Sequence, residues 1–104
     1  MNAATLEPNG AQGRRLCGRL DFETAAAIWA EGLAWIDAAN GERVLDLAAV
    51  ERTDSAGVAV LVDWTRRARG HGSTLRLRHM PEQMTAIVEV TGVAPVLDIA
   101  DERP

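Results

Sequence analysis

Lysine is absent from this chain of 104 residues, cysteine occurs once and histidine twice. The lone Cys17 excludes an internal disulfide and points to a reducing compartment. It sits in a strand-like run, where a small core thiol is a commoner role than a nucleophile. His71 and His79 fall in a turn and at a strand end, without metal-ligand spacing to each other or to Cys17. No glycine-rich phosphate loop, cysteine pair or nucleophile elbow is present, and Asp54 beside Ser55 makes no triad without a placed histidine. The residues therefore point to no catalytic group, no metal and no cofactor. No apolar run approaches the roughly 20 residues that span a bilayer. Nor does the N-terminus carry a basic segment followed by an apolar one, so no secretory signal is expected and the expectation is a cytoplasmic protein.

Without lysine, all 11 basic residues are arginines, and the formal charge is −4. That balance argues against general nucleic-acid affinity. Arg66, Arg67, Arg69, Arg76 and Arg78 nonetheless cluster. An RNA or anionic-lipid patch would need more than charge; no aromatic residues interleave, and a solvated face is the favoured reading.

What is present is an ordinary globular composition, 47% apolar and 25% charged, in a length suited to one domain with a modest core. The chain is organised around Val44 to Leu61. Val44–Leu47 reads as a buried strand and Glu51–Asp54 as a polar turn. From Ser55 to Arg69 an apolar segment too long for a strand ends in an arginine-rich turn and Gly70, and reads as a helix. Thr53, Asp54 and Ser55 lie where its N-cap must fall. A hydroxyl is thus displayed at the positive end of a helix, where added negative charge is tolerated.

Before this centre, residues 1–13 form an edge strand near Thr5-Leu6 or a flexible segment, and Arg14–Leu20 alternates as a strand. Asp21 is expected to cap a helix from Phe22 to Ala38, with Phe22, Ala25, Ala26, Trp29, Leu33 and Ile36 inward and Ile28 and Trp35 on its flank. After it, Thr74–His79 reads as a strand, Glu82–Thr91 as a helix with Met84, Ile87, Val88 and Thr91 inward, and Val96–Ile99 as a last strand. Residues 14–100 would form the domain and 101–104 a flexible tail. The alternation implies an α/β fold, a central mixed sheet of four to five strands with three or four helices packed on it.

Plotted at about 100° per residue, the serine helix places Gly57, Val58, Leu61, Val62, Thr65 and Ala68 on an inferred core face. Ala56, Ala59, Val60, Asp63, Trp64 and Arg67 fall opposite. Small residues beside Ser55, then a Trp and an Arg, suit a binding face. The candidate partner-binding set is therefore Thr53, Asp54, Ser55, Ala56, Ala59, Val60, Asp63, Trp64 and Arg67. The competing reading has Trp64 leaning onto the core margin and Val60 as a stray exposed residue.

Leu45-Asp46-Leu47 followed by Thr53-Asp54-Ser55-Ala56-Gly57 resembles the signature of STAS domains. The resemblance runs from about Leu16 to Leu97 and makes Ser55 the position that is phosphorylated or sits in a partner interface. Within that family, the chain is most similar to the STAS subunit of the Mla phospholipid-transport ABC complex. Leu16-Cys17-Gly18-Arg19-Leu20-Asp21, Trp29, Asp54 to Val62 running into Trp64 to Arg69, and Met80-Pro81-Glu82-Gln83-Met84 carry this likeness. It implies a non-enzymatic subunit that binds the ABC ATPase through the serine helix and meets the inner face of the inner membrane only through that partner. Anti-sigma-factor antagonists are the alternative; there the partner would be a kinase-type anti-sigma factor, released by phosphorylation of Ser55. Many antagonists carry a second serine where this chain has Ala56.

Overall fold

Alternation along the strands builds one greasy sheet face. The computed structural model describes residues 3–100, so the tail expected at 101–104 lies outside the described residues. The chain runs β1 (Thr5–Pro8), β2 (Gly13–Leu20), α1 (Ala25–Asp37), β3 (Glu42–Asp46), β4 (Val50–Thr53), α2 (Ser55–Gly70), β5 (Thr74–Arg78), α3 (Glu82–Thr91), a 3-10 turn (Ala94–Val96) and β6 (Asp98–Ile99). Leu16 and Leu20 of β2, Leu45 of β3, and Leu75 and Leu77 of β5 are fully buried. Their neighbours Arg15, Arg19, Asp46, Arg76 and Arg78 are half-buried or exposed on the other side.

The sheet order is β1-β2-β3-β5-β6, with β4 also beside β2. β1 pairs antiparallel with β2, while the pairs β2–β3, β2–β4, β3–β5 and β5–β6 are parallel. Every parallel crossover steps the same way across the sheet. Right-handed connection therefore puts α1, α2 and α3 on one face and leaves the other face to polar side chains.

Two expectations are corrected by this topology. Glu51–Asp54 is largely strand and not a turn. β3 lies against the first half of β2 (Gly13–Arg15) and β4 against the second (Gly18–Leu20). The bend at Leu47–Ala49 joins two short strands that share one edge of β2, because that edge has more backbone groups to satisfy than β3 can reach. Asp21 and Phe22, expected to cap and start α1, precede it. Asp21 Oδ1 accepts from the N–H groups of Glu23 (3.0 Å) and Thr24 (3.3 Å), forming an Asx turn, and α1 starts at Ala25.

The buried face of α1 is also rotated. Ile28, Gly32, Trp35 and Ile36 point inward, while Phe22, Ala26 and Trp29 are exposed. α1 is apolar almost all round, so periodicity alone did not select a phase. Packing does: a Cβ on Gly32 would overlap the ring of Trp64. At the far end, Arg43 donates to the carbonyls of Trp35 (3.1 Å) and Ala39 (3.4 Å). That guanidinium satisfies carbonyls at the C-terminal end of α1 and lies 5.7 Å from the Trp35 ring centre.

Candidate functional site

Three local constraints shape the N-terminal tip of α2. Asp54 is the N-cap, its Oδ1 accepting from Gly57 N–H at 3.1 Å, while its Oδ2 accepts from Phe22 N–H at 3.0 Å. One carboxylate thus caps α2 and ties the β2–α1 loop to it. Thr53 is buried, and its N–H donates to Gln83 Oε1 of α3 at 3.1 Å. Gly57 then allows α2 to press onto β2, since a Cβ there would overlap the Leu20 carbonyl oxygen and Thr53 Oγ1. The Asp-Ser-Ala-Gly run is the local solution: a cap, an outward hydroxyl, a small side chain, and no side chain where the helix meets the strand.

Ser55 is the first residue of α2 and is exposed. Behind it the solvent-facing line of α2 carries Ala59, Asp63, Arg66 and Arg67, with Ala56 half-buried. Shallow depressions flank this line. One, between α1 and α2, is lined by Phe22, Ala25, Ala26, Trp29, Ala59, Val60 and Asp63. Toward α3, Thr53, Asp54 and Ser55 meet Ala86, Ile87, Val90 and Thr91. Phe22 is 82% exposed, Trp29 40% and Val90 88%. Two apolar ridges therefore stand on either side of a small-residue helix headed by a serine.

Of the candidate binding residues, Asp54, Ser55, Ala56, Ala59 and Asp63 come together on this face. Arg67 lies one turn further along, bound to Asp37 by hydrogen bonds of 3.0 Å (Nε) and 2.7 Å (Nη2). That guanidinium holds the Asp37 carboxyl below its ordinary value. Trp64 and Val60, expected outward, are buried at 0% and 5% exposure. Trp64 Nε1–H donates to the Trp29 carbonyl at 3.0 Å. α2 is the central helix, flanked by α1 and α3 above the sheet, so a wider arc of it is covered than an edge helix would bury. Trp64 is core, beyond its margin. Phe22, Trp29 and Val90 were not among the candidates. Helical spacing places Phe22 and Trp29 in the core stripe, and only the true phase of α1 frees them.

The remaining chemistry is structural. His71 Nε2 lies 2.9 Å from Asp37 and His79 Nδ1 lies 3.2 Å from Asp46. Burial raises the Asp46 carboxyl, but the Ala48 N–H, His79 and Arg15 outweigh it and leave the group below its usual value. Burial, with Glu7 nearby, raises the Cys17 thiol, which disfavours the reactive thiolate. Among the described residues, no three His, Cys, Asp or Glu side chains are grouped to hold a metal, and no helix is long and apolar enough to cross a membrane. Arg67, Arg69 and Arg76 of the arginine cluster are ion-paired with Asp37, Asp98 and Glu42.

Residues 9–98 match the family described as "Mlab, STAS domain". The chain belongs to the STAS family. This STAS domain shares its fold with solved structures of low sequence identity. SpoIIAA, an anti-sigma factor antagonist in its unphosphorylated form, matches with a TM-score of 0.68 at 18% identity, over 97% of this chain and 90% of that one. The phosphorylated form of the Bacillus cell fate determinant SpoIIAA gives 0.67 at 20% identity, covering 96% and 93%. An anti-sigma-factor antagonist (STAS) domain protein from Planctomyces limnophilus gives 0.75 at 18%, covering 97% and 92%. No curated protein matches the chain in sequence. STAS domains are typically regulatory and interaction modules that act on partner proteins, and in this one three of the four exposed large apolar side chains of the described residues flank the serine helix, the fourth being Ile99 of β6.

Proposed function

We propose that this STAS domain is a non-enzymatic interaction subunit of a phospholipid-transport ABC complex. It binds the ATPase subunit through the Ser55 face of α2 and supports its assembly and activity. It works in the cytoplasm and meets the membrane only through that partner. The observation that carries this reading is the exposed Ser55, followed by small residues and flanked by the exposed side chains of Phe22, Trp29 and Val90, in a chain of the family described as Mlab. Large apolar side chains grouped on a monomer surface mark an interface more often than chance does. Ser55, Ala56 and Ala59 form the contact floor, and Thr53 and Asp54 hold its shape.

A second reading rests on the accessibility of the Ser55 hydroxyl at a helix N-terminus. As an anti-sigma-factor antagonist, the domain would bind a kinase-type anti-sigma factor and be released on phosphorylation. A phosphate there adds charge where the helix dipole accepts it, so the fold survives while a partner packed on Ala56 and Ala59 meets bulk and repulsion.

One experiment separates the readings. Tagged wild-type and Ser55→Asp proteins are recovered from the native cells, and bound proteins are identified by mass spectrometry. An ABC ATPase with its permease, reduced in the variant, is the expected result. A kinase-like anti-sigma factor lost in the variant would transfer the assignment to signalling. Equal recovery by both forms would reduce Ser55 to a helix residue.

A further inference from the structure

The groove between α1 and α2 has walls of Phe22 and Trp29 and a floor of Ala25, Ala26 and Ala59, and Asp63 is the one charged side chain that lines it. Asp63 is exposed and has no hydrogen bond or ion pair among the described residues. Among the described residues, none that lines the groove is basic. α1 contains no basic residue. Arg67, one turn beyond Asp63, is committed to Asp37 at 2.7 Å. Arg66 lines the opposite depression with Val58 and Val62; Asp63 borders that depression too, but makes no ion pair with Arg66.

An apolar surface seated in this groove would cover the Asp63 carboxylate and strip its water, a loss that only a paired charge offsets. Alanines on two packed helices let a third helix approach closely, with large side chains outside to clamp it. We infer that the groove receives a helix of a partner protein whose apolar face carries a lysine or arginine placed to pair with Asp63. Phe22 and Trp29 are the anchors of that contact. The inference rests on the reading of the α2 face as the docking surface and adds the chemistry of what docks.

The test uses the full chain in its native cells, with p-benzoylphenylalanine at Phe22 or Trp29, or at Thr74 of β5 as a control. After illumination, the cross-linked segment is sequenced by mass spectrometry. The expected adduct comes from positions 22 and 29, on an apolar helical segment of another protein with a lysine or arginine within one turn. Asp63→Lys, a change at an exposed position, lowers the yield at least tenfold with an unchanged melting temperature. Changing the partner's basic residue to Glu in that background restores it. A cross-linked segment lacking a cation, a yield indifferent to Asp63→Lys, adducts only with a second copy of this chain or with lipid, adducts only from position 74, or no adduct would each overturn the inference. The identity of the captured protein judges the transport reading separately. An ATPase captured through an acidic segment would sustain that reading and sink this one; a different protein captured through a basic apolar helix would do the reverse.

Discussion

Asp54, Gly57 and Trp64 each act in a way that depends on one or two atoms. The Asp54 carboxylate serves two backbone donors in separate elements, Gly57 and Phe22. Asp54→Ala should therefore cost more than an ordinary N-cap, about 1–2 kcal/mol at the upper end of the usual range, read as a lower urea midpoint. Asp54→Asn should recover only the cap on Gly57, since its amide has one acceptor oxygen and its NH2 would face the Phe22 N–H. Gly57→Ala is expected to be worse despite alanine's helix propensity, because the added methyl meets the Leu20 carbonyl and Thr53 Oγ1. A loss of about 1–3 kcal/mol follows from overpacking alone. Trp64 supplies the sharpest contrast between surface and core. As an outward anchor its removal would leave stability within about 0.5 kcal/mol. Buried and bonded to the Trp29 carbonyl, Trp64→Ala should cost about 3–5 kcal/mol, measured by chemical denaturation. A surface-sized loss would return it to the binding face.

The pairing of α1 with α2 is the element-scale feature on which the site depends. At one end Gly32 admits the Trp64 ring, and at the other Asp37 receives Arg67 and His71. The Arg67 guanidinium lowers the Asp37 carboxyl below its ordinary 3.8. A carboxyl depressed in the folded state stabilises it at pH above the unfolded value and loses that contribution as pH falls through the folded one. An Asp37→Asn variant should accordingly unfold earlier than wild type near neutrality, and the difference should shrink as pH drops below 3.8. Urea midpoints across an acid series would check it, and a constant difference would show that the ion pair adds nothing. The phase of α1 was illegible in the sequence for a physical reason. Trp29, Leu33 and Ile36 make as good an apolar stripe as Ile28, Trp35 and Ile36, and glycine's role at 32 is visible only once Trp64 faces it. β4 was hidden similarly, because Glu51 and Arg52 are exposed and a four-residue strand whose ladder partner is distant in sequence looks like a turn.

Over the whole molecule, one-way right-handed crossovers segregate the surfaces. The bare sheet face holds arginines and acids such as Arg76 and Glu42, joined at 3.1 Å, an exposed pair worth well under 1 kcal/mol. The helical face holds the exposed Phe22, Trp29 and Val90. A Phe22→Ser, Val90→Ser double variant should keep its stability within about 0.5 kcal/mol per site, since these side chains lie outside the core. The same variant should lose partner recovery in the affinity experiment, whereas Arg76→Ala should retain it. Reversed dependence would move the interface to the sheet.

Taken alone, the sequence determined the order of most elements, an N-cap within Thr53 to Ser55, the outward serine and the family likeness. These follow from local chemistry: short oxygens satisfy helix N–H groups, glycines end or admit helices, and alternating or helical periods persist within a few residues. Only the tertiary structure decided which face of an apolar-all-round helix is covered and how wide an arc a central helix buries. It also decided which large side chains are left in solvent. Those outcomes depend on what packs against each element from elsewhere in the chain, and so Trp64 went inside while Phe22 and Trp29 came to the surface.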